Sequence, residues 1–288
     1  MIKIENLNKR IKKHHILSNV SLNIEGIYGL IGPNGAGKTT LMKILSSLIS
    51  INAGTIEMDG KSIIKGKYVK QNTVIGYLPQ DFMVYPNISL EEALDHIAML
   101  QGMMNKHERK IKVHQAIKEV NLQGYEHKKM VELSGGMRKR VGIAQLLLGN
   151  PSILIFDEPT AGLDIEERIR FRNLLRNLGK DRTVVISSHI VEDIEFLSTK
   201  IGVLKNGRVL FEGTPAELKA LAKDCVWEYQ AEMDELDEMM KYKQVVQVNE
   251  EKEGINIRVF SSEKEDGAKP VEPRLIDGYL AAVKGMSI

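Results

Sequence analysis

The sequence predicts an α/β protein with a mostly parallel β-sheet, a helical insertion and a small α+β unit at its C-terminal end. Continuous apolar runs at residues 27–31, 153–156 and 183–187 are typical of strands that are covered on both faces. Helical periodicity over residues 81–133 interrupts that pattern. Beyond about residue 223 the composition changes again, which indicates a separate unit.

The N-terminal region is predicted to hold two short strands, at residues 2–5 and 20–24, ahead of the buried strand at 27–31. A glycine-rich turn follows the buried strand. The next segment has apolar residues at helical spacing, so we expect a helix there. Its apolar face is formed by Leu41, Ile44, Leu45, Leu48 and Ile49.

The insertion is predicted to begin a helix after Ser89, because Ser89 and Glu92 have the spacing of a capping box. Leu90, Ala93, Leu94, Ile97 and Ala98 form its apolar face. A second helix is expected near residues 107–120. Where the α/β pattern resumes, Asn206 and Gly207 stand between two apolar segments, which predicts a β-hairpin with a primed turn.

The last part of the chain predicts a charged helix at 234–241, strands at 245–248 and 255–259, and a closing amphipathic helix with Leu275 on its apolar face. These changes in pattern divide the chain into a larger and a smaller domain. The predicted division is residues 1–222, with a helical subdomain at about 81–135, and an accessory domain at 223–288.

Composition is that of an ordinary globular protein, with 43% apolar and 27% charged residues. A net charge of +2 gives no broad field for nucleic acid or anionic lipid, and 5% aromatic content offers no stacking platform, so no nucleic-acid partner is expected. The single cysteine, Cys225, excludes an internal disulfide. No apolar stretch reaches the roughly 20 residues of a membrane span. We therefore expect any membrane crossing to come from another chain.

A phosphate-binding loop is predicted between the buried strand and the first helix. Gly32-Pro33-Asn34-Gly35-Ala36-Gly37-Lys38-Thr39 matches G-x-x-x-x-G-K-[ST]. Glycines let backbone N–H groups wrap close to phosphate oxygens, and the helix N-terminus attracts the same anion. Lys38 is expected against the β- and γ-phosphates of ATP or GTP, the Thr39 hydroxyl on Mg²⁺, and Thr40 beside the α-phosphate. The alternative is a chance glycine-rich turn.

An acidic pair, Asp157 and Glu158, closes the apolar run at 153–156. A carboxylate at the end of a parallel strand faces the ligand crevice of the sheet. Asp157 is therefore expected to hold Mg²⁺, through water. Glu158 is expected to orient and polarise the water that attacks the nucleotide. The alternative is a strand that ends in a solvated acidic turn.

Four further motifs resemble those of the ATP-binding-cassette (ABC) ATPases, in that family's order, over residues 1 to about 220. Leu133-Ser134-Gly135-Gly136-Met137 is similar to the signature motif, and Tyr77-Leu78-Pro79-Gln80 resembles the Q-loop. Ala161-Gly162-Leu163-Asp164 resembles the D-loop, and His189 the switch histidine. The resemblance implies a P-loop NTPase (RecA-like) core with an antiparallel β subdomain and an α-helical insertion.

The resemblance also implies how the site works. Two subunits would sandwich two ATP molecules head to tail, as a homodimer or with a second cassette. The signature residues Ser134, Gly135 and Gly136, with Asp164 of the D-loop, would meet the ATP held by the partner. His189 would contact the γ-phosphate of its own site and position Glu158. Gln80 would join Thr39 and Asp157 as a Mg²⁺ ligand.

Three cations, Arg138, Lys139 and Arg140, occupy the first turn of the predicted signature helix. Positive charge there opposes the helix dipole. It is explained if an anion docks at Ser134 and Gly136. The alternative interpretation is a solvated basic face.

The loop after Gln80 carries four apolar side chains: Phe82, Met83, Val84 and Tyr85. We expect them either to pack in the core of the helical insertion or, as the resemblance implies, to form a groove for a coupling helix of a membrane subunit. Both can hold.

The chain departs from the family pattern at Met137, where glutamine is usual, and at Ile11, where an aromatic residue usually stacks on adenine. An aliphatic side chain keeps apolar contact but loses ring stacking, worth roughly 1–3 kcal/mol by analogy with base–aromatic contacts. We therefore expect weaker or less base-selective nucleotide binding.

Two C-terminal segments resemble the extension of prokaryotic exporter ATPases that serve bacitracin, sodium and drug efflux. They are Cys225-Val226-Trp227-Glu228 and Pro273-Arg274-Leu275-Ile276-Asp277-Gly278-Tyr279-Leu280. In that family the membrane subunit is normally a separate permease. The first hypothesis is therefore the ATPase subunit of an exporter, cytoplasmic and peripheral on the inner face of the cell membrane. The alternatives are a soluble ABC ATPase that acts on ribosomes or DNA, and a catalytically silent regulatory module.

Overall fold

The computed structural model describes residues 1–59, 61–62, 75–82, 85–250, 254–264 and 266–285, and of residues 61–62 only the backbone. The chain forms two compact units, Met1–Val209 and Leu210–Ile288. The division falls ahead of the boundary predicted between residues 222 and 223. The reason is that the helix Pro215–Ala220 packs against the C-terminal helix Leu275–Val283 and so belongs with the second unit.

The first unit alternates strands and helices, and its last strand runs on into the second unit. Its strands are β1 (Ile2–Ile11), β2 (His14–Ile24), β3 (Ile27–Ile31), β4 (Ala53–Met58), β5 (Lys61–Ser62), β6 (Ile75–Leu78), β7 (Ile153–Asp157), β8 (Thr183–Ser188), β9 (Lys200–Lys205) and β10 (Arg208–Gly213). Its helices are α1 (Lys38–Leu45), α2 (Leu90–Leu100), α3 (Lys106–Glu119), α4 (Gly135–Leu147), α5 (Ile165–Leu178) and α6 (Val191–Glu195).

A six-stranded sheet, in the order β10-β9-β3-β8-β7-β6, lies at the centre of the first unit. β3 pairs in parallel with β8 and β9, and β7 pairs in parallel with β6 and β8. Every residue of β3 and β7 is buried, which confirms the buried strands predicted at 27–31 and 153–156. Because parallel strands end at one edge, the segments that follow β3, β6, β7 and β8 come together there.

A second, antiparallel sheet is formed by the N-terminal region and has the order β2-β1-β4-β5. β1 and β2 are longer than predicted, since they pair as far as Ile11 and His14. Register shifts interrupt this pairing, and Asn6 and Asn19 have positive φ values of 50° and 54°. Such bulges break the two-residue alternation from which strands are predicted, so only the regular ends were evident in the sequence.

The helical insertion consists of α2, α3 and α4, which pack on one another. The predicted capping box is present: Ser89 N–H donates to Glu92 Oε2 over 2.8 Å, and Glu92 N–H donates to Ser89 Oγ over 3.3 Å. Arg109 on α3 is buried and donates to Asp95 on α2 over 2.8 Å. The same guanidinium donates to two carbonyl oxygens of the connecting loop, so it fixes the two helices together.

The second unit is an α+β unit. It contains α7 (Pro215–Ala220), β11 (Val226–Ala231), α8 (Leu236–Tyr242), β12 (Val245–Glu250), β13 (Ile255–Phe260), β14 (Lys269–Pro270) and α9 (Leu275–Val283). Its sheet has the order β12-β13-β11-β14. Arg258 and Asp277 form a buried ion pair, with 2.7 Å between Nη2 and Oδ2. Within the ranges that the structure describes, no helix is long and apolar enough to cross a membrane.

Candidate active site

The predicted phosphate loop lies between β3 and α1, at the edge where the parallel strands end. Gly35 and Gly37 have φ values of 79° and 106°, which glycine adopts without strain. A Cβ on Gly32 would lie 2.0 Å from the carbonyl oxygen of Leu204, so only glycine fits that approach. The primed hairpin turn predicted at residues 206–207 is also confirmed, and Gly207 N–H donates to Ala36 O over 2.9 Å. The neighbouring strands therefore hold the loop in shape.

Lys38 opens α1 and is 5% exposed. Its Nζ donates to Gly32 O over 2.7 Å and to Pro33 O over 3.2 Å, so the amine lies across the loop. The same Nζ is 3.4 Å from Glu158 Oε1. The Lys38 ammonium group thus lies where the motif predicts phosphate oxygens.

The acidic pair is held by a buried serine. Ser187, at the end of β8, donates its hydroxyl to Asp157 Oδ1 over 2.6 Å and accepts the N–H of Glu158 over 2.9 Å. Ser187 is fully buried, Asp157 is 2% exposed and Glu158 is 8% exposed. Glu158 has a φ of 49°, an uncommon conformation for a residue with a side chain. The alternative of a solvated acidic turn is therefore wrong, because both carboxylates are buried and bonded.

His189 follows β8, and its Nδ1 lies 2.8 Å from Glu158 Oε2. One carboxylate is therefore contacted by Lys38 through one oxygen and by His189 through the other. A carboxylate fixed on both sides has a defined direction, which a residue that orients a water molecule needs.

A cavity of about 510 Å³ opens over these residues, a size typical of small-molecule sites. Most of the predicted nucleotide-binding residues line it. The lining consists of Ile16, Asn34, Gly35, Ala36, Gly37, Lys38, Thr39, Thr40, Gln80, Glu158 and His189. The structure therefore brings the phosphate loop, Glu158, Gln80 and His189 to one place.

Several predicted residues are not among those that line this cavity: Gly32, Pro33, Ser134, Gly135, Gly136, Asp157 and Asp164. Asp157 is the residue before Glu158, and its carboxylate is bonded to the buried Ser187. Ile11 does not line the cavity either; it is 45% exposed and pairs with His14 at the turn between β1 and β2. The apolar residue from that region at the cavity wall is Ile16.

The signature segment begins α4. Ser134 is its N-cap, and the Ser134 hydroxyl accepts the N–H of Met137 over 3.1 Å. Gly136 is buried against α5: a Cβ there would lie 2.3 Å from Glu167 Oε2. Ser134 itself is exposed, so its side chain can meet a molecule outside the chain.

The three cations after the signature segment bond within the chain. Arg138 donates to Leu133 O over 2.7 Å. Arg140 donates to both carboxylate oxygens of Glu167, over 3.2 and 3.1 Å. Lys139 donates to the carbonyl oxygens of Pro159 and Ala161. A solvated basic face is therefore wrong for Lys139 and Arg140, and their charge is accounted for without a docked anion.

The loop after Gln80 lies partly outside the described residues, which omit Met83 and Val84. Phe82 packs against α4, because a Cβ on Gly142 would lie 3.1 Å from its ring. Tyr85 is 73% exposed. Packing in the helical insertion thus accounts for Phe82, and the groove for a membrane subunit stays a prediction.

Sequence reasoning missed Ser187, Ile16 and the buried Asp193, whose Oδ2 accepts the Thr160 hydroxyl over 2.6 Å. A polar residue at the end of a buried strand, as at Ser187, is the signal that could have indicated a site residue. Asp193 and Ile16 carry no such signal, because their partners are distant in sequence.

Comparisons with known proteins agree with this geometry. The family model described as ABC transporter matches residues 17–161. The lantibiotic transport ATP-binding protein SrtF of Streptococcus pyogenes is 36% identical over 215 residues, which are 74% of this chain and 90% of SrtF. The linearmycin resistance ATP-binding protein LnrL of Bacillus subtilis is 32% identical over 76% of this chain and 70% of LnrL. The structure of a dimeric ATP-binding cassette in a post-hydrolysis state, bound to ADP and Pi, has a TM-score of 0.64 at 29% identity, and the match covers 74% of this chain and 98% of that one.

Proposed function

The chain belongs to the ABC transporter family of ATP-binding proteins, and on that premise we propose that it is the ATP-hydrolysing subunit of a prokaryotic exporter with a separate transmembrane permease. The observation that carries the proposal is the arrangement of Lys38, Glu158 and His189 in one cavity beside the phosphate loop. SrtF and LnrL serve lantibiotic transport and linearmycin resistance, which supports a role in moving a compound out of the cell.

In the proposed reaction the phosphate loop binds the triphosphate of ATP and Lys38 turns from Glu158 to the β- and γ-phosphates. This exchange frees one oxygen of Glu158 for a water molecule, while the other stays with His189. Water attacks the γ-phosphorus, the bond between that atom and the β–γ bridging oxygen breaks, and the products are ADP and inorganic phosphate. Glu158 accepts the proton of the attacking water.

The residues proposed to hold Mg²⁺ fit a hard cation. Thr39 supplies a hydroxyl oxygen, Asp157 a carboxylate and Gln80 an amide oxygen, and Mg²⁺ prefers such oxygen ligands. Over the described ranges no three His, Cys, Asp or Glu side chains gather as a metal site. The proposed set contains one carboxylate, and Mg²⁺ commonly keeps water and substrate phosphate oxygens as its other ligands. When bound, Mg²⁺ would neutralise charge on the phosphates.

The signature and D-loop residues are proposed to act on a second subunit. Ser134 is exposed at the N-terminus of α4, where backbone N–H groups favour an anion, and it does not line the cavity of its own chain. We propose that it meets the γ-phosphate of the partner's ATP, in a homodimer or with a second cassette. The dimeric cassette of similar fold supports this arrangement. The proposed location is the cytoplasmic face of the cell membrane, through the permease.

The test measures ATP hydrolysis by the purified protein and by its Glu158→Gln variant. We expect turnover in the native protein and its loss in the variant, which keeps ATP affinity because Lys38 and the loop are intact. Native turnover in Glu158→Gln would contradict the role of Glu158. The exporter role is tested by co-purification from membranes with the protein encoded beside this one. Recovery of this chain free of any membrane protein would contradict it.

A further inference from the structure

Lys139 connects the signature helix to the loop that follows the acidic pair. It lies in the first turns of α4, after Ser134, and its Nζ donates to Pro159 O over 2.8 Å and to Ala161 O. We call residues 159–164 the post-acidic loop. One ammonium group thus bonds two carbonyl oxygens of this loop, one on each side of Thr160.

The same loop is fixed from its other side. The Thr160 hydroxyl donates to Asp193 Oδ2 over 2.6 Å, and Asp193 lies on α6, just after His189. Both groups are buried. The post-acidic loop is therefore held between the helix that carries Ser134 and the helix that follows the switch histidine.

The contacts of Lys139 lie next to Glu158 along the chain. Pro159 is the next residue, and Ala161 N–H donates back to Glu158 O over 3.2 Å. Glu158 keeps an uncommon backbone conformation, with a φ of 49°, which persists only when its surroundings hold it. Removing the two bonds from Lys139 takes away the attachment of the post-acidic loop to α4 and leaves its attachment to Asp193.

Burying the charged amine of a lysine costs free energy unless hydrogen bonds compensate for the lost water. Lys139 is half-buried, and burial lowers the pKa of its ammonium group from the usual 10.5. Arg140, its neighbour, makes a separate connection between the same helix and α5 through Glu167. The helix is therefore attached to α5 without Lys139, which leaves Lys139 to hold the loop.

We propose that Lys139 is a positioning residue for ATP hydrolysis: it holds the post-acidic loop so that Glu158 faces the attacking water. This inference rests on the proposed role of Glu158. Ser134 caps the helix that carries Lys139. A phosphate that docks at Ser134 would therefore also act, through that helix, on the loop beside the chain's own Glu158. Docking of the partner's nucleotide and readiness for hydrolysis are thereby connected within one subunit.

The experiment compares Lys139→Met, which keeps the apolar stem without a donor, with Lys139→Arg, which keeps the donors. Lys118→Met makes the same substitution at an exposed position of α3 and serves as the matched control. Each protein is assayed for ATP turnover, for equilibrium binding of a fluorescent ATP analogue and for thermal unfolding. We expect kcat of Lys139→Met to fall about tenfold, because Glu158 would no longer be held in the orientation that faces the attacking water. Binding should be unchanged, because Lys139 does not line the cavity.

Rescue decides between positioning and simple structural support. Lys139→Arg should recover most of the turnover, and Lys118→Met should behave as the native protein. Unchanged kcat in Lys139→Met would overturn the proposal, and so would equal losses of kcat and nucleotide binding without rescue by arginine. Glu158→Gln is run in parallel: native turnover in that variant would instead contradict the proposed function on which this inference rests.

Discussion

Replacing Ser187 by alanine should disturb the positions of Asp157 and Glu158 more than the loss of any other side-chain hydroxyl in β8. The native hydroxyl donates to Asp157 Oδ1 over 2.6 Å and accepts Glu158 N–H over 2.9 Å, and Ser187 is fully buried. The variant leaves a buried N–H without a partner and removes a hydrogen bond to a carboxylate. Each loss costs about 1–3 kcal/mol. We therefore expect a decrease of about 3 kcal/mol in the free energy of unfolding.

Ser188→Ala is the matched control. Ser188 is the next residue of β8 and is also buried, but its hydroxyl accepts Ile190 N–H over 2.9 Å and does not contact the acidic pair. Its loss should cost about 1 kcal/mol and leave turnover near the native value. Urea unfolding and ATP turnover are measured for both variants. Equal effects of the two substitutions on stability and on turnover would contradict this prediction, because the bonds to Asp157 and Glu158 would then contribute nothing specific.

Three further predictions follow from single contacts. Gly278→Ala should destabilise the second unit by about 2 kcal/mol, since its Cβ would lie 2.0 Å from the backbone oxygen of Leu218; native urea unfolding of the variant would contradict this close approach. Ile16→Ala should weaken ATP binding about fivefold and Ile11→Ala less than about twofold, because Ile16 lines the cavity and Ile11 does not; the reverse order in a titration would place the base against Ile11, where Ile11→Tyr would then change the ratio of ATP to GTP affinity. Burial, with the nearby charge of Asp157, raises the pKa of Tyr77 to about 12 from 10.0. Because the folded pKa is the higher one, the stabilisation is complete below pH 10.0 and is lost as the pH rises towards about 12; Tyr77→Phe should show a smaller loss of stability over that interval, and an equal loss would contradict the shift.

The central sheet could be predicted because its signals are local. The strands at 27–31 and 153–156 are continuous apolar runs, and each is followed by a motif whose chemistry requires the end of a parallel strand. β1 and β2 were predicted too short, because bulges near Asn6 and Asn19 break the alternation. Local patterns report regular pairing and fail where the backbone departs from it.

The candidate site was predictable as a set of motifs and not as a set of contacts. Ser187 bonds residues 29 and 30 positions away, and Lys139 bonds residues 20 and 22 positions away. No local periodicity reports such pairs. The basic run at 138–140 illustrates the limit. From sequence it indicated a docked anion or a solvated face, whereas the structure gives its members separate partners within the chain.

We propose that the phosphate loop is half of a site that a second subunit completes. Light scattering of the Glu158→Gln variant in saturating ATP and Mg²⁺, with quantification of the bound nucleotide, tests it directly. We expect a particle of two chains that holds two ATP molecules. Adding Ser134→Arg should return it to single chains, because a large cationic side chain there would block the docking surface. Single chains that each hold one ATP, together with a native turnover rate per chain that does not change on dilution, would contradict it.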